Sequence, residues 1–120
     1  MRRILVVDDE PKITALVDSI LTRNGYQVLT ADSSSEAFAI VSREPVDLVV
    51  SDINMPGLRG PDLLAYLSAR GIQPPVLFIS GDLEVQNVEQ ALDVPRAAFL
   101  PKPFTPAELL AAVAGSLRSA

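Results

Sequence analysis

An open α/β domain, five parallel strands with helices on both faces, is the fold this 120-residue sequence predicts. Two observations predict it. Short apolar runs alternate with helix-period segments from end to end, the sequence form of a repeated strand–helix unit with parallel strands. Four of these runs also end on a polar, chemistry-bearing residue: Ile4-Leu5-Val6-Val7 on Asp8-Asp9, Leu48-Val49-Val50-Ser51 on Asp52, Val76-Leu77-Phe78-Ile79 on Ser80, and Ala97-Ala98-Phe99-Leu100-Pro101 on Lys102. In such a sheet ligands bind beyond the carboxyl ends of the strands, so residues that each follow a strand meet in one crevice.

The elements follow in order. After the first run, Ile13, Leu16, Val17, Ile20 and Leu21 recur with helical spacing, and Gly25 offers a stop. Tyr26 to Ala31 reads as the second strand; Ser33 and Glu36 then match a capping box opening a helix through about Ser42, which Pro45 ends. The third strand runs to Asp52 and a turn-rich loop from Ile53 to Gly60. Pro61 suits a first helical position before Leu63, Leu64 and Leu67, and Gly71 and Pro74-Pro75 close that unit. The fourth strand leads through Ser80-Gly81-Asp82 to a weaker helix carrying Val85, Val88, Ala91 and Leu92. After the fifth strand, Thr105-Pro106-Ala107-Glu108 caps a helix with Leu109, Leu110, Val113 and Leu117. The expected inventory is five strands and five helices in a single domain over residues 1–120, with no linker and no low-complexity segment.

Right-handed crossovers and cover on both faces leave few topologies for five such units, and the commonest is the flavodoxin-like doubly wound order 2-1-3-4-5. It makes the first and third strands neighbours, so Asp8 and Asp9 come alongside Asp52 while the fourth and fifth strands deliver Ser80 and Lys102 from the other side.

Composition narrows the chemistry. The chain is 48% hydrophobic, yet no apolar run approaches the roughly 20 residues that span a bilayer. The stretch after Met1-Arg2-Arg3 stops at Asp8, too soon for a signal peptide, so a soluble cytoplasmic protein is expected. Cysteine and histidine are both absent, which removes thiol nucleophiles, thiolate and imidazole metal sites, and Ser-His pairs. A formal net charge of −5 argues against direct contact with nucleic acid or an anionic membrane. Carboxylate, hydroxyl and amine chemistry remains.

Carboxylates converging on one spot raise one another's pKa unless a cation joins them. With oxygen ligands alone, the expected ion is Mg²⁺ or Mn²⁺, and Mg²⁺ commonly completes its shell with waters and phosphate oxygens. A phosphoryl ligand follows: Lys102 neutralises one of its oxygens, Ser80 donates a hydrogen bond, and a carboxylate is itself a possible nucleophile that forms an acyl phosphate. Singly, each residue has a plainer reading, an Asp or Ser after a strand as helix cap or turn former and Lys as a solvated side chain. Those readings leave the joint placement at four strand ends unexplained.

Taken together, these residues resemble the receiver domain of two-component response regulators over essentially the full chain. Asp8-Asp9 looks like the family's acidic pair, Asp52 its phosphoacceptor in Asp52-Ile53-Asn54-Met55-Pro56-Gly57, Ser80-Gly81 its hydroxyl and small-residue step, and Lys102-Pro103-Phe104 its lysine motif. The resemblance implies that Asp52 takes a phosphoryl group from a sensor histidine kinase or histidine phosphotransfer protein. It implies that Asp9, Asp52 and the Asn54 carbonyl bind Mg²⁺ directly with Asp8 acting through water, and that the Lys102-Pro103 bond is cis. It further implies that Ser80 and Phe99 switch a protein-binding face of fourth helix, fifth strand and fifth helix. Two departures stand out. Pro95-Arg96 replaces the frequent Gly-Ala, removing a backbone donor, and Phe99 replaces the frequent tyrosine, so a switch here uses packing and not a phenolic hydrogen bond.

Rival functions fit less well. A phosphoaspartyl hydrolase of the haloacid-dehalogenase type needs an Asp two residues after the nucleophile as general acid/base, and that position is Asn54. Neither a dinucleotide-binding nor a Walker A glycine pattern is present. A phosphorylation-independent adaptor of the same fold sits poorly with the intact acid set. Met1 beside the first strand favours a single-domain regulator, although the first domain of a longer protein would read the same.

Overall fold

The computed structural model describes residues 2–52, 74–80 and 97–118. Within them the chain forms β1 (Arg3–Val7), α1 (Pro11–Arg23), β2 (Gln27–Ala31), α2 (Ser34–Arg43), β3 (Leu48–Asp52), β4 (Val76–Ser80), β5 (Ala97–Pro101) and α3 (Pro106–Arg118). Helix α3 is the fifth helix of the sequence reading. The expected third and fourth helices, together with Asn54, Gly81 and Pro95-Arg96, lie outside the described residues.

The five strands pair in parallel in the order β2-β1-β3-β4-β5. Side chains alternate across a strand, so each strand feeds two apolar layers. Ile4, Val6, Leu48, Val50, Leu77, Ile79 and Leu100 face one side, where Val17, Ile20 and Leu21 of α1 and Leu109, Val113 and Leu117 of α3 cover them. Leu5, Val7, Val49, Val76 and Phe78 face the other, packed with Ala31 of β2 and with Ala37 and Val41 of α2. Burial on both faces explains why the runs are continuously apolar.

The helix ends follow local chemistry. Pro11 opens α1, and Gly25, at φ 89°, closes it in the left-handed region that a side chain would strain. Ser33 caps α2 by accepting the Glu36 N–H at 3.2 Å. At α3 the capping box is reciprocal: Thr105 Oγ1 accepts the Glu108 N–H at 3.1 Å, and Glu108 Oε1 accepts the Thr105 N–H at 2.9 Å. Far from the strand ends that carry the acids, the Arg3 N–H donates to Asp47 Oδ2 at 2.7 Å while the Asp47 N–H donates to the Arg3 carbonyl, also at 2.7 Å.

Candidate functional site

Strand register brings the acids together. In the β1–β3 ladder Val7 lies opposite Ser51, so the next residues, Asp8 and Asp52, emerge side by side. Both continue the parity of the layer covered by α1 and α3, the layer of Val6 and Val50. Lys102 follows Pro101 at the end of β5 with the parity of Leu100 and enters from two strands away.

Among the described residues, this site gathers one cation and three carboxylates. Lys102 Nζ lies 3.9 Å from Asp8 Oδ2, 3.7 Å from Asp52 Oδ2 and 3.7 Å from Glu10 Oε1. Asp8 and Asp52 are buried and Glu10 is exposed, yet the three offer ligand atoms that all lie within 4.8 Å of one another. Burial pushes the Asp8 carboxyl up to about 6; the Asp52 and Glu10 charges push the same way, while the Glu10 N–H, donating to Asp8 Oδ1 at 2.9 Å, and the Lys102 ammonium oppose them.

Two bonds shape the turn that aims these groups. The Asp8 N–H donates to the Ala31 carbonyl at 3.1 Å, extending the β1–β2 ladder by one residue, and Thr14 Oγ1 donates to the Asp8 carbonyl at 3.3 Å from the first turn of α1. Asp8 is therefore fixed at both ends of its backbone. Asp9 is exposed and stands outside the group of three.

The structure thus brings together Asp8, Asp52 and Lys102 of the residues singled out in the sequence, and adds Glu10. Its signal was available: it is the third acid of Asp8-Asp9-Glu10, directly before Pro11. Ser80 is the last residue of β4 and pairs with Pro101; its side chain lies outside the described atoms, as does all of Asn54. Phe99 sits on the opposite sheet face from the acids, half-buried, its ring stacked on Phe78. The Lys102-Pro103 bond is cis.

Oxygen donors this close, one of them with a carboxyl raised by burial and by a neighbouring carboxylate, fit a hard divalent cation, which relieves their repulsion. No described helix is long and apolar enough to cross a membrane.

Comparison with known proteins gives the same picture. The profile of the response regulator receiver domain matches residues 4–114. The transcriptional regulatory protein KdpE of Mycobacterium tuberculosis is 35% identical over 119 residues, which are 98% of this chain and 52% of that protein. The alkaline phosphatase synthesis transcriptional regulatory protein PhoP of Bacillus subtilis is 34% identical over 117 residues, 98% of this chain and 49% of that protein. The chain thus spans about half the length of these relatives. Among solved structures, the chemotaxis protein CheY4 of Vibrio cholerae superposes with a TM-score of 0.90 at 28% identity, covering 97% of this chain and 98% of that one. A CheY-like receiver domain protein of Methanospirillum hungatei gives 0.91 at 28% identity, covering 98% and 94%.

Proposed function

The chain belongs to the response regulator receiver domain family, and on that premise we propose that Asp52 is its phosphoacceptor. The observation that carries the assignment is the Lys102 ammonium 3.7 Å from a buried Asp52 carboxylate at the centre of the sheet. An Asp52 oxygen attacks the phosphorus of a phosphohistidine on a partner kinase or phosphotransfer protein. The phosphorus–nitrogen bond breaks as the new phosphorus–oxygen bond forms, and the imidazole, protonated from solvent at its other nitrogen before transfer, leaves as a neutral ring.

Receiver domains bind Mg²⁺ at their acidic cluster. When bound, the ion supplies charge neutralisation for the phosphoryl group in transfer. Asp8 and Asp52, with Asp9 one residue beyond Asp8 and the Asn54 carbonyl, are the oxygen donors we assign to it. Lys102 neutralises a phosphoryl oxygen, and Ser80, ending the neighbouring strand, donates its hydroxyl to another. Self-phosphorylation and self-dephosphorylation are then the whole of the chemistry, and a cytoplasmic location accords with it.

The output is a surface. Receiver domains act on downstream effectors. Here Ser80 and Phe99 couple the phosphoryl group to a face of β5 and α3, together with the helix the sequence leads one to expect between β4 and β5, with neither nucleic acid nor membrane contacted directly. Such coupling requires contacts that differ between the two states, which the Ser80 and Lys102 bonds to phosphate supply.

The test is incubation with a small phosphodonor and Mg²⁺, read by intact mass. One phosphoryl group is expected on the wild type and none on Asp52→Asn; undiminished labelling of that variant would falsify the assignment.

A further inference from the structure

Glu10 lies close enough to Asp8 and Asp52 to share a cation with them, but the ligand set assigned above does not draw on it. As the residue preceding α1 it stands at the N-cap, but its side chain makes no capping hydrogen bond. Its carboxylate reaches across to Lys102 instead, as near to the ammonium as Asp52 is. The pair straddles the rim of the pocket: the Lys102 side chain is 19% exposed and that of Glu10 60%. An ammonium on a four-carbon stem has three donors and can settle at a compromise position, and each of its three carboxylate separations is longer than a charge-assisted hydrogen bond. Two of the pulls act inward, and the third acts outward.

We propose that Glu10 is a positioning residue that holds the Lys102 ammonium toward the rim in the resting protein, so that a phosphoryl group on Asp52 must draw it inward and off Glu10. The inference deepens the assignment of Asp52 as phosphoacceptor and rests on it. Glu10 then sets a threshold: the weaker its hold on Lys102, the more readily the phosphorylated arrangement forms, because the ammonium enters that arrangement without surrendering a partner.

Two variants separate this tether from a mere negative charge at the rim. Glu10→Gln keeps the length and loses the charge, whereas Glu10→Asp keeps the charge and falls one methylene short of Lys102. Titrated by calorimetry with beryllofluoride in the presence of Mg²⁺, both variants are expected to bind the anion about two- to fivefold more tightly than the wild type, the range set by a partly exposed ion pair. Wild-type affinity in both variants would overturn the proposal, and so would wild-type affinity in Glu10→Asp alone, since charge without reach would then suffice.

A second measurement leaves phosphorylation out. Urea unfolding of the wild type, Glu10→Gln, Lys102→Met and the double variant, without Mg²⁺ or beryllofluoride, should be non-additive in midpoint by on the order of a few tenths of a molar. Additivity would overturn the contact itself. A wild type that takes up no beryllofluoride while the unfolding cycle stays non-additive would overturn the assignment of Asp52 and leave the Glu10–Lys102 tether supported.

Discussion

Phe99 stacks on Phe78 with ring centroids 5.6 Å apart and planes 30° from parallel. The two residues face each other directly in the β4–β5 ladder, on the side of the sheet away from the acids. Phe78 is wholly buried and Phe99 half-buried, so one ring is fixed and the other rests on it at the edge of the core. Phe99 lies three residues before Lys102 on the same strand end, which puts the aromatic pair within one strand's length of the phosphoryl chemistry.

Truncating the fixed ring should be far costlier than truncating the resting one. Phe78→Ala is expected to lose about 3–5 kcal/mol in urea unfolding, and Phe99→Ala clearly less. A cycle of Phe78→Leu and Phe99→Leu should show a coupling of about 0.5–1.5 kcal/mol; additivity would mean the stack is only shared burial.

Removing the shared cation should expose the repulsion it masks. Lys102→Met is expected to lower stability at pH 7 by on the order of 1–3 kcal/mol, since three carboxylates are left facing one another. Millimolar Mg²⁺ should restore much of the loss, as read by thermal melting. A variant as stable as the wild type without Mg²⁺ would show that the acids do not strain the fold.

Asp8 predicts an unusual pH profile. Its carboxyl is raised from an ordinary 3.8 to about 6, mainly by burial. Between these values the folded chain holds a proton that the unfolded chain has lost, so this residue's contribution to stability is full below about 4 and is lost as pH rises through about 6. Without divalent cations the wild type should therefore gain stability on acidification from pH 7 to 5, and Asp8→Asn should lack that gain. Mg²⁺ competes with the same proton, so its affinity should fall over the same interval.

The helix caps give smaller, local effects. Ser33→Ala and Thr105→Ala should each cost about 1 kcal/mol, each leaving one helix N–H without its side-chain acceptor. The two helices cover opposite faces of the sheet, so the two losses should add.

The same caps explain how much of the fold was legible in the sequence. Ser33 with Glu36 and Thr105 with Glu108 are neighbours in the chain; the second pair closes a full capping box where it stands, and the first supplies the cap from Ser33 to the Glu36 N–H. Continuous apolar runs located the strands for a similar reason, and chirality of connection supplied their order. The pocket was only partly legible. Adjacent acids look equivalent in a sequence, but the turn into α1 buries Asp8, exposes Asp9 and returns Glu10 toward Lys102. That distinction depends on a residue some ninety positions away, a separation no local pattern encodes. The stack of Phe99 on Phe78 likewise requires the β4–β5 register.

The paired bonds between Arg3 and Asp47 close the foot of the β1–β3 ladder. They join the start of β1 to the residue before β3, at the end of the sheet farthest from Asp8 and Asp52, and the Arg3 guanidinium adds a third bond at 3.3 Å to the Pro45 carbonyl. The same two strands stay paired from Ile4 and Leu48 up to Val7 and Ser51, so the fastening at the foot continues a ladder that runs to the acids. A group added at their tips therefore meets strands held along their whole length, which favours accommodation by side chains such as Lys102 over movement of the strands themselves.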